Sequence, residues 1–146
     1  GEPERVIVPA DSAAGEVAFA FAGPRSAETA LVVPVHINGQ GPYDFVLDTG
    51  ATMTCVDQTL RNQLQLPEDR GRITMGAGIG ETGRVQMVSI DTFRVGGAQV
   101  TDMPTCVLDL AQFRQLGVDM HGLIGLNFLS EFKVTLDFER QILRLE

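Results

Sequence analysis

The hydrophobic residues of this chain fall in short runs that are separated by turn residues. Residues 31–37 form one β-rich run and residues 43–47 form the next, with Asn38-Gly39 between them. Asn-Gly is a dipeptide that two-residue β-hairpin turns favour, so the pair predicts a hairpin. Further strands are predicted for residues 85–93, 105–110, 133–138 and 141–145. The pattern therefore predicts a mostly β protein.

Two segments favour short helices instead. Residues 58–64 place Leu60 and Leu64 on one face, and Asp57 stands where a helix N-cap is expected. A second short helix is predicted for residues 126–130, directly after the apolar and glycine-containing residues 122–125. These helices are minor additions to a sheet-based fold.

Length and composition suit one soluble domain. A chain of 146 residues is long enough for a real core, and we divide it into an N-terminal extension, residues 1–29, partly strand, and a domain of residues 30–146. A formal net charge of −8 argues against nucleic acid as a partner, because that would need a basic patch. No apolar run approaches the roughly 20 residues that span a bilayer.

The candidate chemistry lies where the strand of residues 43–47 ends, at Asp48-Thr49-Gly50-Ala51. A strand that breaks at Asp-Thr-Gly places a carboxylate on a tight turn, and the glycine allows close backbone approach. An aspartate that only bonds its own turn is the common alternative. Peptide hydrolysis by carboxylates needs two of them, about 3 Å apart and sharing one proton. The chain has one Asp-Thr-Gly, so either it is not such an enzyme or two copies each contribute one aspartate across a twofold axis.

Residues 45–51 resemble the active-site signature of the retropepsin-like aspartic proteases, and residues 122–129 resemble the apolar-apolar-Gly element and short helix of that family. A Gly-rich hairpin lies between the two motifs, in the family's order. A helix at residues 57–64 makes the chain more similar to the cellular and bacterial single-domain members than to the viral ones. The resemblance implies a small closed β-barrel with one or two short helices, active as a homodimer. It also implies an endopeptidase that cleaves peptides or proteins with an activated water and uses neither a metal nor an organic cofactor.

The same resemblance assigns roles to single residues. Asp48 is expected to be the catalytic carboxylate, paired with the same residue of a second subunit. Thr49 is expected to hydrogen-bond across the axis, and Gly50 to let its backbone approach the carboxylates. Ala51 would line the floor of the cleft.

Two further groups are expected to serve the substrate cleft. Leu123 and Ile124 would pack beneath the turn that carries Asp48. A flap would close over the substrate and exclude water, with Ile79 as its apolar contact. Its predicted tip comprises Gly76, Ala77, Gly78, Ile79 and Gly80. The alternative for these residues is an ordinary solvated hairpin loop.

The two cysteines leave two interpretations open. Cys55 follows the active turn, and Cys106 lies in a strand that the family packs beside it. They are either buried thiols of a cytosolic domain or a disulfide in an oxidising compartment. Together with a first residue that is not Met, they lead us to expect an extracytoplasmic location, periplasmic or membrane-tethered through a segment outside these residues.

Other chemistries lack support in the sequence. His36 and His121 have no partner at metal-ligand spacing, so no metal is expected. No serine stands in a Gly-x-Ser-x-Gly elbow. The rival hypothesis is a non-catalytic peptide-binding or dimerisation module on the same fold.

Overall fold

The computed structural model of the protein describes residues 7–8, 15–22, 30–69, 74–75, 84–115 and 120–146. In chain order its strands are β1 (Ile7–Val8), β2 (Glu16–Ala18), β3 (Ala20–Ala22), β4 (Ala30–Ile37), β5 (Gln40–Leu47), β6 (Cys55–Asp57), β7 (Thr74–Met75), β8 (Arg84–Val85), β9 (Met87–Val95), β10 (Ala98–Leu108), β11 (Gly122–Ile124), β12 (Val134–Asp137) and β13 (Ile142–Leu145). Its helices are α1 (Gln58–Leu64), α2 (Ala111–Gln115) and α3 (Leu126–Leu129). In this part of the chain no helix is long and apolar enough to cross a membrane.

Strands β4, β5, β11, β6, β10 and β9 pair in that order, and β9 pairs back onto β4. The sheet is therefore a closed barrel, and closure removes the exposed edges that an open sheet would have. The predicted fold class, a mostly β protein with a small closed barrel and short helices, is confirmed.

The predicted hairpin at Asn38-Gly39 joins β4 to β5. Asn38 has a φ of 51° and Gly39 a φ of 79°, the left-handed conformation that a type I′ turn requires at both central positions. The Asn38 side chain accepts a hydrogen bond from the Thr92 backbone N–H at 3.0 Å, which ties the turn to β9. A local sequence signal thus sets the register of two barrel strands.

The predicted helix at residues 58–64 is also confirmed as α1. Asp57 caps it, since its carboxylate accepts from the Thr59 N–H at 3.3 Å. The other oxygen of this buried carboxylate accepts from the Leu110 N–H at 2.9 Å, beyond the end of β10. One aspartate therefore caps the helix and fixes it to the barrel.

The described strands of the N-terminal extension pair with the rest of the chain. β1 adds to β10, β3 adds to β4, and β2 adds to β13 in a smaller sheet with β12. Phe19, between β2 and β3, is buried in the main core. The structure thus places these strands against the domain of residues 30–146, and the boundary between the two stays a prediction.

The main core fills the barrel with aliphatic and aromatic side chains. The Phe93 ring packs edge-on against Phe45 and Phe128, with ring centroids 5.6 and 5.0 Å away. Because Phe128 belongs to α3, this aromatic contact fixes the helix that follows β11 to the barrel interior. Burial of such rings contributes about 2–3 kcal/mol each.

Candidate active site around Asp48

Asp48 lies in the connection between β5 and β6, two strands that are not neighbours in the barrel. β11 lies between them, parallel to β5 and antiparallel to β6. Residues 48–54 must therefore pass over the end of β11, at the point where α3 begins. This topology brings the two motifs found in the sequence into contact.

The Asp48 turn is closed by hydrogen bonds to its own residues. The Asp48 carboxylate accepts from the Gly50 N–H at 3.1 Å, and its carbonyl accepts from the Ala51 N–H at 3.1 Å. Asp48 is half-buried, whereas Thr49 and Gly50 are exposed. An ordinary aspartate turn has the same bonds, so a functional interpretation depends on what surrounds the turn.

The surroundings are residues 124–127, to which the turn and the residues after it are anchored. The Asp48 N–H donates to the Ile124 carbonyl at 3.0 Å, and the Leu126 N–H donates to the Ala51 carbonyl at 2.9 Å. The Asn127 N–H donates to the Thr52 carbonyl at 3.1 Å. The turn therefore has a fixed position relative to β11 and α3.

Two polar side chains complete this anchoring. The Thr54 hydroxyl accepts from the Gly125 N–H at 3.0 Å, and the Asn127 side-chain oxygen accepts from the Thr54 N–H at 2.7 Å. Thr54 is fully buried. Neither residue is among those predicted for the site from the sequence, although a lone Asn among the apolar residues of α3 is a signal that points to Asn127.

Gly125 lies where β11 meets the residues that follow the turn. A Cβ at this position would be 2.5 Å from the Met53 carbonyl carbon and 2.6 Å from its oxygen. Gly122, at the start of β11, would place a Cβ into the Phe45 ring and 2.5 Å from the Cys55 carbonyl oxygen. Two glycines of the second motif therefore allow the close approach on which the site depends.

The predicted cleft residues occupy different environments. Ala51 and Leu123 are half-buried, and Leu123 packs with Val32 and Val46 in a second apolar cluster. Ile124 is fully buried in the main core, so it supports the turn from beneath and is not open to solvent. The predicted flap tip, residues 76–80, lies outside the described residues, and the antiparallel pair of β7 and β8 flanks it.

Cys55 and Cys106 form a disulfide between β6 and β10. They are register partners in this parallel pair, with Cα atoms 4.3 Å apart, and both are buried. The Cys106 N–H also donates to the Thr54 carbonyl at 2.9 Å. The disulfide therefore joins β10 to the residues directly after the Asp48 turn.

Intact mass spectrometry is expected to show a chain that gains two hydrogens on reduction. Replacing both Cys55 and Cys106 with Ala should lower the free energy of unfolding by about 2–4 kcal/mol, because the disulfide closes a loop of 51 residues in the unfolded chain. Urea unfolding of the purified variant measures this loss. Equal masses with and without reductant would contradict the disulfide.

Within the described ranges, no three His, Cys, Asp or Glu side chains are grouped to hold a metal ion. Among its described residues, the site therefore offers one carboxylate for chemistry, that of Asp48, on a turn that is anchored by hydrogen bonds and accessible to solvent.

Comparison with known proteins agrees with this arrangement. A family model described as aspartyl protease matches residues 33–128. The fold is similar to a retropepsin-like aspartic protease from Rickettsia conorii, with a TM-score of 0.58, 16% identity, and coverage of 99% of this chain and 95% of that one. It is also similar to the retroviral protease-like domain of Ddi1 from Leishmania major, with a TM-score of 0.52, 19% identity, and coverage of 82% and 90%. No curated protein sequence matches the chain significantly.

The family match spans more than half of the 146 residues, and it contains both the Asp48 turn and β11. The chain therefore belongs to the aspartyl protease family. Its retropepsin-like fold, expected from the two sequence motifs, is confirmed.

Proposed function

We propose that this protein is an aspartic endopeptidase whose active form is a homodimer with two Asp48 carboxylates. The observation that carries the proposal is the position of Asp48 on a turn anchored to β11 and α3, within the family's matched segment. Asp48 is the catalytic residue, and Thr49 and Gly50 belong to the same turn. Ala51, which is half-buried, lines the floor of the proposed substrate cleft, and the half-buried Leu123 packs beneath the turn.

In the proposed reaction two carboxylates share one proton. At about 3 Å apart both cannot ionise, so one remains charged and the other protonated. The charged group removes a proton from a water that attacks the scissile carbonyl, and the protonated group donates to the carbonyl oxygen. The resulting tetrahedral diol collapses with cleavage of the C–N bond, the leaving nitrogen takes the proton that the first carboxylate removed from water, and a diol proton returns to the other carboxylate. No covalent bond to the enzyme forms. Residues 76–80, between β7 and β8 in sequence, are the proposed flap tip, and a closed flap would exclude bulk water during this step.

The exposed face around the turn supports a second copy as the partner. Each chain carries a net charge of −8, so two copies repel each other. The surface through which they form a dimer should therefore carry no acidic side chain besides Asp48. The exposed residues beside Asp48 are all uncharged: Thr49, Gly50, Thr52 and Leu126. Leu126 is a large apolar residue with 40% of its surface exposed, and a subunit contact would cover it.

We also propose an extracytoplasmic location for the protein. A buried disulfide is stable in an oxidising compartment and is rare in the cytosol of mesophiles. A periplasmic or membrane-tethered protease is consistent with this chemistry, with the tether outside these residues. Reduced cysteines in protein isolated from its native compartment would contradict the proposal.

Digestion of a proteome-derived peptide library tests the function. Wild-type protein is expected to cut peptides internally, with a specific activity that rises with protein concentration until the dimer is saturated. Sedimentation measured over the same concentrations should show monomer converting to dimer. A monomer at all concentrations that binds peptides without cutting them would favour the non-catalytic module instead.

A further inference from the structure

We propose that Asn127 is a positioning residue of this site, whose side chain fixes the backbone after Asp48 and so sets the place of the carboxylate. The inference rests on the proposed protease function for its effect on catalysis. Its structural part, the anchoring of residues 48–54, can be measured separately.

The Asn127 amide contacts two segments that are distant in sequence. Its oxygen accepts from the Thr54 N–H at 2.7 Å, and its nitrogen donates to the Pro104 carbonyl of β10 at 2.9 Å. The same nitrogen lies 3.3 Å from the Met53 sulfur. One side chain on α3 therefore joins the residues after the active turn to the middle of a long barrel strand.

The residues between Asp48 and Thr54 depend on such bonds for their position. Thr49, Gly50 and Thr52 are exposed, so burial contributes little to holding them. Their fixed points include the hydrogen bonds to residues 124–127, of which three join backbone atoms and three use a side chain. The side chains that take part are those of Met53, Thr54 and Asn127. Asn127 takes part in two of these three bonds, so it is a point at which substitution can change the anchoring.

The position requires an amide of this length. Asn supplies an acceptor and a donor at once, whereas a carboxylate supplies acceptors only. Losing the acceptor would leave the buried Thr54 N–H unpaired, which is unfavourable and favours a shift of the backbone. A displacement of about 1 Å at a catalytic group is enough to cost 10²-fold in rate.

The test compares Asn127→Ala with Asn38→Ala, using a library peptide that the wild type cleaves. Asn38 is a matched control because its side-chain oxygen also accepts one backbone N–H, that of Thr92, at a hairpin of the barrel. Asn127→Ala is expected to lower kcat by about 10²-fold, with KM changed by much less. Asn38→Ala is expected to lose stability, because its left-handed conformation suits Ala poorly, and to keep its kcat.

Asn127→Asp tests the role of the Asn127 side chain through the pH dependence of kcat, which should not change if the side chain has only a structural role. The ionised carboxylate can accept from Thr54 but repels the Pro104 carbonyl, whereas the protonated form can donate to it. The ratio of variant to wild-type kcat should therefore rise as the pH falls through the range of a carboxyl pKa. A ratio that does not vary with pH would overturn the assignment of the donor.

Amide hydrogen exchange separates failure of the inference from failure of the proposed function. In Asn127→Ala, exchange at Gly50, Ala51 and Thr54 should accelerate, and in Asn38→Ala it should not. If the wild type cleaves no peptide, the protease proposal fails and the exchange data still decide whether Asn127 holds the turn. An unchanged kcat, or a reduced kcat with unchanged exchange at these amides, would overturn the inference.

Discussion

Asp48→Asn is expected to abolish peptide cleavage and to leave the fold intact. The amide has nearly the same shape as the carboxylate, and its oxygen can still accept from the Gly50 N–H. It cannot take a proton from water, so the general-base step is lost. The expected decrease in kcat is about 10³-fold or more, measured on a peptide that the wild type cleaves.

Asp137→Asn is the matched control for this variant. The Asp137 carboxylate accepts a backbone N–H, that of Arg140, in the turn between β12 and β13, at 3.0 Å. The substitution removes one negative charge from a turn elsewhere in the chain, and cleavage should stay within about twofold of wild type. Native-rate cleavage by Asp48→Asn would contradict the catalytic assignment.

Mixing subunits extends the Asp48 prediction to the dimer. When Asp48→Asn is added to a fixed amount of wild type, random exchange places wild-type chains in mixed dimers that have one carboxylate. Activity should fall to about half at equal amounts and toward zero with excess variant, if both subunits contribute to one site. Activity that is insensitive to the added variant would mean that a single chain carries the whole site.

The parts of the fold that could be predicted from the sequence depend on local chemistry. Asn38-Gly39 predicts a hairpin because few dipeptides adopt two left-handed conformations in a row. Asp57 predicts the start of α1 because a short carboxylate caps exposed N–H groups. In both cases the deciding atoms lie within a few residues of one another.

Strand β10 shows where such local prediction stops. The apolar pattern predicts a strand at residues 105–110, whereas β10 begins at Ala98 and ends at Leu108. Polar residues and Pro104 interrupt the apolar pattern, yet pairing with β9 continues from Ala98 to Cys106. Tertiary pairing outweighs local propensity in such a strand. Helix α2, just after it, was likewise not anticipated.

The site was predictable in part for the same reason. Asp48 and residues 122–125 stand in compact motifs, so they could be proposed as residues of the site before the structure. The bond from Thr54 to Asn127 spans 73 residues, and the Cys55–Cys106 pairing depends on the register of two parallel strands. No local sequence pattern predicts the Thr54–Asn127 bond or the register that pairs the two cysteines, because both depend on the closure of the whole barrel.

Gly125→Ala is expected to damage both stability and catalysis. The new methyl group would lie 2.5–2.9 Å from backbone atoms of Met53 and Thr54, and backbone cannot rotate away as a side chain can. Overpacking of this kind costs about 1–3 kcal/mol. Relief of the clash must move the residues after Asp48, so kcat should fall by about 10²-fold.

Gly39→Ala separates the two effects. A Cβ at Gly39 meets no atom within 4 Å, but its φ of 79° is unfavourable for Ala, so we expect a loss of about 1–2 kcal/mol. Urea unfolding and peptide cleavage should be measured for both variants. If Gly39→Ala loses stability with normal kcat while Gly125→Ala loses both, close packing of β11 against the turn maintains the catalytic geometry. Wild-type stability and kcat in Gly125→Ala would contradict this role of the close packing.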